Sequence, residues 1–394
     1  MGFGKAKIMS LQALRTWAFL GIFLTHATAP INWPNLGVST FFVLSGFLTY
    51  YQEDGKIMKC GIRSSVIFSW KKIKKLYPLH LITMLAAIAL CMIKNYHKPQ
   101  TLIDLFSLLS SIVLNVTLLQ TWVPNSAVNV SLNGVAWYLS VSMFLYCMFP
   151  YIFRWLNNKT MVIAFCAFLL GLEIILCIPW IYCFGMVHPI TIWFIYFFPV
   201  FRLGDFFTGC CLGYIVCRAD SIRKKNCSVI NVTILEFIVL FVTVFIHKWI
   251  KQEKTSIVLL AISNYTTLYI PLAVLWLLIF YYNKGVLSKL LANKAMIRLG
   301  NITPYMFLIH YVVTQYCYEL RCRYGFNYGF VGYVFELFLT IIISQIYASC
   351  FRKITIKIHE HGITKRDDVL EKNKPGMMQG IVTFSDIYWE HEKS

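Results

Sequence analysis

The sequence has little charge. Only 13% of its 394 residues are charged and 58% are hydrophobic, whereas soluble domains average about 25% charged and about 45–50% apolar residues. A soluble fold with this composition would expose too much apolar surface to water. The composition also excludes intrinsic disorder. It predicts an all-α protein, a polytopic bundle of transmembrane helices.

Acidic residues are scarcer than basic ones. The chain has 17 Asp and Glu against 36 Lys and Arg, a net charge of +19. In a membrane protein this excess indicates basic loops on the cytoplasmic side, and we expect no nucleic-acid partner. The 13 cysteines include no Cys-x-x-Cys pair, and no His/Cys cluster has zinc spacing. The sequence therefore predicts neither a metal site nor a redox centre.

Charge decides which apolar stretches cross the membrane. The eleven candidates are residues 11–29, 36–51, 76–93, 105–122, 135–153, 160–180, 191–217, 229–247, 257–282, 299–319 and 328–350. With a cytoplasmic N-terminus and a re-entrant or interfacial 105–122, the inner loops carry 17 Lys and Arg against 7 in the outer loops. If 105–122 also crosses, the basic run at 218–225 lies outside. We therefore predict about ten crossings of the cell membrane (plasma or inner), with both termini cytoplasmic.

We expect two parts in the chain, a membrane-embedded domain at 1–350 and a polar cytoplasmic tail at 351–394. The start of the chain also resembles a secretory signal, because Lys5 and Lys7 precede an apolar run that ends in a small-residue triplet at 27–29. Arg15 interrupts that run. Its presence favours an uncleaved first helix over a signal peptide.

Two ionisable residues, Arg15 and His26, lie at membrane depth, where such groups are costly and commonly functional. Eleven helical steps of about 100° return to within about 20° of the start, so both side chains share one face, about 16 Å apart along the axis. Arg15 then lies near the cytoplasm and His26 near the outer side, along one wall of a polar passage. The alternative is an arginine that snorkels to the interface and a histidine bonded to a backbone carbonyl.

A basic run precedes the third apolar stretch, with four cations within residues 71–75. Such a run binds lipid headgroups, sets topology or suits a soluble polyanion that approaches from the cytoplasm. Farther along the chain, Arg202 and Asp205 are three residues apart on one helix, close enough to form a structural ion pair. The alternative role for Arg202 is contact with a phosphate. Gly209 and Gly213 form a GxxxG pattern, which predicts close helix packing.

Six short blocks, in this order, resemble those of the acyltransferase-3 family, integral membrane acyltransferases that modify bacterial surface glycans. The blocks are Leu14-Arg15…His26, Gly37 to Phe47, Lys71 to Pro78, Trp137 to Ser142, Arg202 to Gly209 and Thr303 to His310. Each block is short, but their order over residues 11–350 makes the resemblance fairly specific. Three carboxylates of the family pattern are missing. Their positions hold Gln12 or Ala13, Ser39 and Ser142.

The resemblance implies an acyl-CoA-dependent O-acyltransferase, most simply an O-acetyltransferase. It would move an acyl group from cytoplasmic acyl-CoA, with acetyl-CoA as the simplest co-substrate, to a hydroxyl of a surface or lipid-linked polysaccharide. No bound cofactor is expected. The expected partners are the lipid bilayer, acyl-CoA and the glycan acceptor, and homo-oligomerisation is left open. The alternative function is a non-catalytic glycan exporter or transporter component with the same polar passage.

The resemblance also suggests residue roles. His26 is expected to be the catalytic general base, which we favour over a covalent acyl-histidine relay. The residues expected to bind acyl-CoA are Arg15, Lys72, Lys75 and Arg202. The candidates for substrate contact or oxyanion stabilisation are Ser45, Tyr77, Trp137 and His310.

Overall fold

The computed structural model describes residues 7–29, 33–95, 101–156, 162–223, 228–252, 254–325 and 329–372, and these residues contain helices and no strand. The α-helices are α1 (Ser10–His26), α2 (Pro34–Glu53), α3 (Ile62–Ile73), α4 (Tyr77–Asn95), α5 (Leu102–Val116), α6 (Ser126–Asn129), α7 (Trp137–Leu156), α8 (Val162–Phe184), α9 (Pro189–Ile192), α10 (Leu203–Arg223), α11 (Val229–Ile250), α12 (Ile257–Ile262), α13 (Tyr269–Tyr282), α14 (Val286–Leu291), α15 (Lys294–Tyr324) and α16 (Gly329–Lys372). Two short 3-10 turns, Gln120–Trp122 and Gly134–Ala136, and a π-helix, Trp193–Phe197, lie between them. The predicted all-α class is confirmed for this part of the chain.

Five helical segments of the described residues are long and apolar enough to cross a membrane. They are Tyr77–Lys94, Gly134–Leu156, Val162–Phe184, Val229–Ile250 and Gly329–Ile354. Helix α5 has 15 residues, fewer than the roughly 20 that a crossing helix needs. The helices therefore support a multi-pass membrane protein. The count of ten crossings and the cytoplasmic placement of both termini stay predictions, and Lys5, Lys224 and Lys225 lie outside the described residues.

Burial separates interior helices from lipid-facing ones. Only 17% of the apolar window of α8 and 11% of that of α11 is buried inside the protein. In contrast, eleven of the 17 residues of α1 are buried. An apolar helix with little protein contact has lipid as its natural surroundings. Helix α1 therefore lies inside the bundle, and the side chains of Arg15 and His26 are partly buried in protein.

Helices α2 and α10 approach each other backbone to backbone. A Cβ on Gly46 would collide with the carbonyl of Phe206, and a Cβ on Gly209 would collide with the carbonyl of Val43. One turn farther on, a Cβ on Gly213 would lie 2.9 Å from the Cβ of Tyr50. Glycine is required at these positions because any side chain would separate the helices. The packing role predicted for the GxxxG pattern is confirmed.

The chain divides into two compact units, residues 1–345 and 346–394. The first unit contains every residue discussed below as part of the candidate site. In its described part, up to Lys372, the second unit is helical. The expected cytoplasmic tail at 351–394 stays a prediction, and its residues 373–394 lie outside the described part.

Candidate active site

Arg15 and His26 lie on one unbroken helix. Helix α1 runs from Ser10 to His26, so eleven helical steps and about 16 Å of axis separate the two residues. Both side chains are partly buried, whereas most residues between them are fully buried. The two ends of α1 therefore hold two separate polar centres, one around each of these side chains.

The guanidinium of Arg15 lies in a neutral polar cluster. Its Nη1 donates to Oε1 of Gln12 at 3.0 Å, and the hydroxyls of Tyr138 and Tyr146 on α7 are its electrostatic neighbours. Ser45 of α2 joins them, since its hydroxyl lies 3.3 Å from that of Tyr138 and next to that of Tyr146. We call these five residues the arginine cluster. Among the described residues, no carboxylate forms an ion pair with Arg15.

Arg202, in contrast to Arg15, lies beside a carboxylate. Its Nη1 lies 3.4 Å from Oδ2 of Asp205, and both side chains are 0% exposed. Its Nε donates to the Tyr196 carbonyl at 2.8 Å, and its guanidinium lies 4.5 Å from the centre of the Tyr196 ring. These contacts are those of a structural ion pair with Asp205, one of the two roles that the sequence allowed for Arg202. The donor-binding role of Arg202 stays a prediction.

At the other end of α1, His26 faces α15. Its ring centre lies 5.4 Å from that of His310 and 5.1 Å from that of Tyr311. The ring of His310 is fully buried and packs against Phe19 and Phe307, with centre-to-centre distances of 5.3 and 5.8 Å. We call His26, His310 and Tyr311 the histidine centre. In the described part of the chain, no carboxylate contacts His26.

A buried polar segment before α7 lies against the histidine centre. The amide of Asn133 donates to the Thr83 hydroxyl and to the Leu308 carbonyl, both at 2.9 Å. At the next position, a Cβ on Gly134 would lie 2.7 Å from Cζ of Tyr311. The close approach of this backbone to α15 therefore depends on glycine, and it fixes one side of the Tyr311 ring.

Aromatic rings connect the two centres. Tyr138, whose hydroxyl belongs to the arginine cluster, has its ring 5.2 Å from Phe307. Phe307 in turn lies 5.8 Å from His310. Phe41 packs against both Tyr138 and Phe307, at 6.0 and 5.7 Å. The shared face of α1 thus runs beside a line of contacting rings, and the continuous polar passage predicted from the sequence stays a prediction.

The basic run lies at the Arg15 end of the bundle. Helix α2 runs antiparallel to α1, because Gly37 packs against Ala18 whereas Phe47 clusters with Leu11. At the far end of α2, Oε1 of Glu53 lies 3.4 Å from Nζ of Lys72, whose side chain is 24% exposed.

Burial and pairing set the state of the cations in this region. Burial lowers the pKa of Lys72, and the charge of Glu53 opposes that shift. Lys56 shares the same carboxylate at 3.1 Å and is more exposed, at 48%. Lys75 is exposed to solvent. Lys56, Lys72 and Lys75 are therefore accessible to a polyanion at this end of the bundle.

Of the four predicted substrate or oxyanion candidates, two lie in the polar centres. Ser45 belongs to the arginine cluster and His310 to the histidine centre. In contrast, the Tyr77 hydroxyl donates to the Val116 carbonyl at 2.8 Å, and Trp137 packs 5.0 Å from Tyr196, beside Arg202. These contacts do not show whether Tyr77 and Trp137 contact substrate or stabilise an oxyanion, so both roles stay predictions.

Three tyrosines of the site were not predicted from the sequence. Tyr138 and Tyr146 are eight residues apart on α7 with Ser142 midway, so a polar stripe at a spacing of four was present in the sequence. Tyr311 directly follows His310 and had no comparable signal.

Comparisons with known proteins show the family of the chain. A family model described as an acyltransferase domain matches residues 8–349. The chain is also similar to the protein named Acyltransferase MdmB from Streptomyces mycarofaciens, with 26% identity over 340 residues, 80% of this chain and 81% of that protein. No solved structure matches the chain. The matched region contains the whole arginine cluster and the whole histidine centre.

Proposed function

Because the chain belongs to the acyltransferase domain family, we propose that it is a membrane O-acyltransferase. It moves an acyl group from cytoplasmic acyl-CoA to a hydroxyl of a surface or lipid-linked polysaccharide, and acetyl transfer from acetyl-CoA is the simplest case. One observation carries the proposal. A single buried helix holds an arginine near one end and a histidine at the other, and neither has a carboxylate partner among the residues that the structure describes.

The Arg15 end suits the donor. A partly buried guanidinium with no carboxylate partner among the described residues is unfavourable, and a phosphate of CoA would supply negative charge through charge-assisted hydrogen bonds. Lys72 lies at the same end and extends the positive surface toward solvent. The hydroxyls of Ser45 and Tyr138 can bond to the amides of the pantetheine arm, which is long and thin enough to carry a thioester along α1.

The His26 end suits the reaction. Neutral imidazole accepts the proton of the acceptor hydroxyl while the hydroxyl oxygen bonds to the thioester carbonyl carbon. The carbon–sulfur bond then breaks, and the proton passes from His26 to the sulfur, so that CoA leaves as a free thiol. A thioester is already activated, so a positioned base is the main requirement, and it contributes about 10²–10⁴-fold.

The proposal is tested with the purified full-length protein in liposomes. Acetyl-CoA and de-O-acylated surface polysaccharide from the host cells are supplied, and both free thiol and glycan-bound acetyl are measured. We expect thiol release to depend on the polysaccharide and to match the acetyl gained. If the polysaccharide crosses the liposome membrane without thiol release, the exporter alternative is correct instead.

Replacement of Lys72 by Gln is expected to weaken donor binding. The loss of one partly exposed phosphate contact, roughly 1 kcal/mol, should raise the KM for acetyl-CoA about three- to tenfold and leave kcat nearly unchanged. Lys56→Gln is the matched control, because Lys56 pairs with the same Glu53 but is more exposed. An unchanged KM in Lys72→Gln would remove this lysine from the donor site.

Replacement of Gly134 by Ala is expected to disturb the histidine centre. The new Cβ would press on the Tyr311 ring, which contacts His26, so we expect kcat to fall about tenfold with little change in the KM for acetyl-CoA. Gly171→Ala on α8 is the matched control, since a Cβ there meets no atom within 4 Å. Equal rates for the two variants would show that the position of Tyr311 is not important for turnover.

A further inference from the structure

The contacts of His310 define which of its ring nitrogens carries the proton. Nδ1 lies 3.2 Å from the carbonyl oxygen of Met306, one helical turn back on α15. A carbonyl only accepts hydrogen bonds, so the network assigns the N–H to Nδ1 and, in the neutral ring, a lone pair to Nε2. Nε2 is buried and has no hydrogen-bond partner among the described residues.

A buried acceptor without a donor is costly, about 1–3 kcal/mol, and such groups are rare in folded proteins. The rings around His310 show where a donor can come from. Phe19, Phe23 and Phe307 offer none, with centres 5.3, 6.3 and 5.8 Å away. Among the residues that the structure describes, the remaining ring in contact is that of His26, at 5.4 Å, and neutral imidazole carries one N–H.

We propose that His310 is the residue that positions His26. The two rings lie 5.4 Å apart, centre to centre, without a hydrogen bond in the structure, and a rotation of the His26 ring would let one of its N–H groups donate to Nε2 of His310 in the working enzyme. This inference rests on the proposed function. The bond selects one tautomer of His26 and leaves the other nitrogen of His26 unprotonated toward the acceptor hydroxyl. A third group that orients the base is a general requirement of such sites. Here a neutral imidazole performs the task.

The same bond stabilises the intermediate state of the base. When His26 takes the hydroxyl proton it becomes an imidazolium, and its hydrogen bond to Nε2 becomes charge-assisted and stronger. The proton then goes to the leaving sulfur, and His310 keeps its own proton on Nδ1 throughout. His310 is therefore a positioning residue. With its N–H committed to Met306, the neutral ring has no donor for an oxyanion, so this geometry favours positioning over the oxyanion role predicted from the sequence.

The test compares substitutions that keep or remove the acceptor. His310→Phe retains a ring but has no nitrogen, and we expect kcat to fall about 10- to 100-fold with the KM for acetyl-CoA within about twofold of the parent. His310→Gln places an amide oxygen near the position of Nε2, and we expect it to recover at least about tenfold over His310→Phe. His247→Phe on α11 controls for the same substitution elsewhere.

Each outcome decides a separate question. If His310→Phe keeps the parent rate, or if His310→Gln is no faster than His310→Phe, the positioning role is wrong. If His310→Phe does not fold, His310→Met replaces it as the variant without an acceptor, and the comparison with His310→Gln stands. If the parent protein itself transfers no acetyl group, the proposed function fails. If the parent is active and His26→Gln is inactive while His310→Phe is fully active, only the present inference fails.

Discussion

Replacement of His26 by Gln is expected to lower kcat for acetyl transfer about 10²–10⁴-fold, which is the contribution of a positioned general base. The KM for acetyl-CoA should change little, because His26 lies about 16 Å along α1 from the guanidinium proposed to bind the donor phosphates. Glutamine is similar in size and polar but cannot take a proton. The fall in kcat therefore measures the loss of proton transfer, and not the effect of a cavity left by a smaller side chain.

The measurement is steady-state thiol release in liposomes with polysaccharide as the acceptor. His188→Gln is the matched control, because His188 is exposed and lies before the short helix α9. It should retain the parent rate. A His26→Gln protein that transfers acetyl groups as fast as the parent would show that the base is another residue, and the function of the histidine centre would then need a different explanation.

The second prediction with a large expected effect compares the substitutions Arg202→Gln and Arg15→Gln. Arg202→Gln leaves the carboxylate of Asp205 buried without a cation, and the loss of one partner of a buried ion pair costs about 3–5 kcal/mol. We therefore expect a large drop in the melting temperature. Arg15→Gln removes a guanidinium that has no carboxylate partner among the described residues, so the melting temperature should stay the same or rise. Its effect should instead be on the donor, with the KM for acetyl-CoA raised about tenfold or more.

Thermal unfolding in detergent, with and without acetyl-CoA, separates the two roles. A ligand that binds only the folded state raises the melting temperature, so acetyl-CoA should stabilise the parent but not Arg15→Gln. The double variant Arg202→Gln/Asp205→Asn should recover stability relative to Arg202→Gln, because it also removes the carboxylate of Asp205 that the single substitution leaves without its cation. If Arg15→Gln is destabilised as strongly as Arg202→Gln, Arg15 is a structural residue.

Local periodicity could predict only part of this molecule. Composition predicts the helical membrane class because a soluble fold cannot bury so much apolar surface. The helical repeat predicts the shared face of Arg15 and His26 because both residues belong to one rigid element. In contrast, the contact between His26 and His310 joins positions 284 residues apart, and no spacing rule relates α1 to α15. The hydrogen bond that fixes the His310 tautomer is visible only once α15 is known to be helical at that point.

Glu236 is a second residue whose role local sequence patterns could not predict. In the sequence it is an acidic residue within an apolar run, with no partner nearby. In the structure its Oε2 accepts the backbone N–H groups of Leu287 and Ser288 at 2.9 and 3.3 Å. It thereby satisfies donors at the start of the short helix α14. A cap supplied from 51 positions away leaves no local signal, so the sequence could not distinguish this structural role from a functional one.

The glycine contacts between α2 and α10 have a consequence for the working cycle. Two helices whose backbones touch at Gly46, Gly209 and Gly213 have no side-chain layer that could slide or re-pack. We therefore expect them to move together as one rigid body. Shape changes that admit a bulky nucleotide or release a product must then occur at interfaces built from larger side chains, such as the one between α4 and α15, where the Tyr316 hydroxyl donates to the Ala86 carbonyl. Cross-links across the first pair should therefore be harmless, whereas cross-links across the second should arrest turnover.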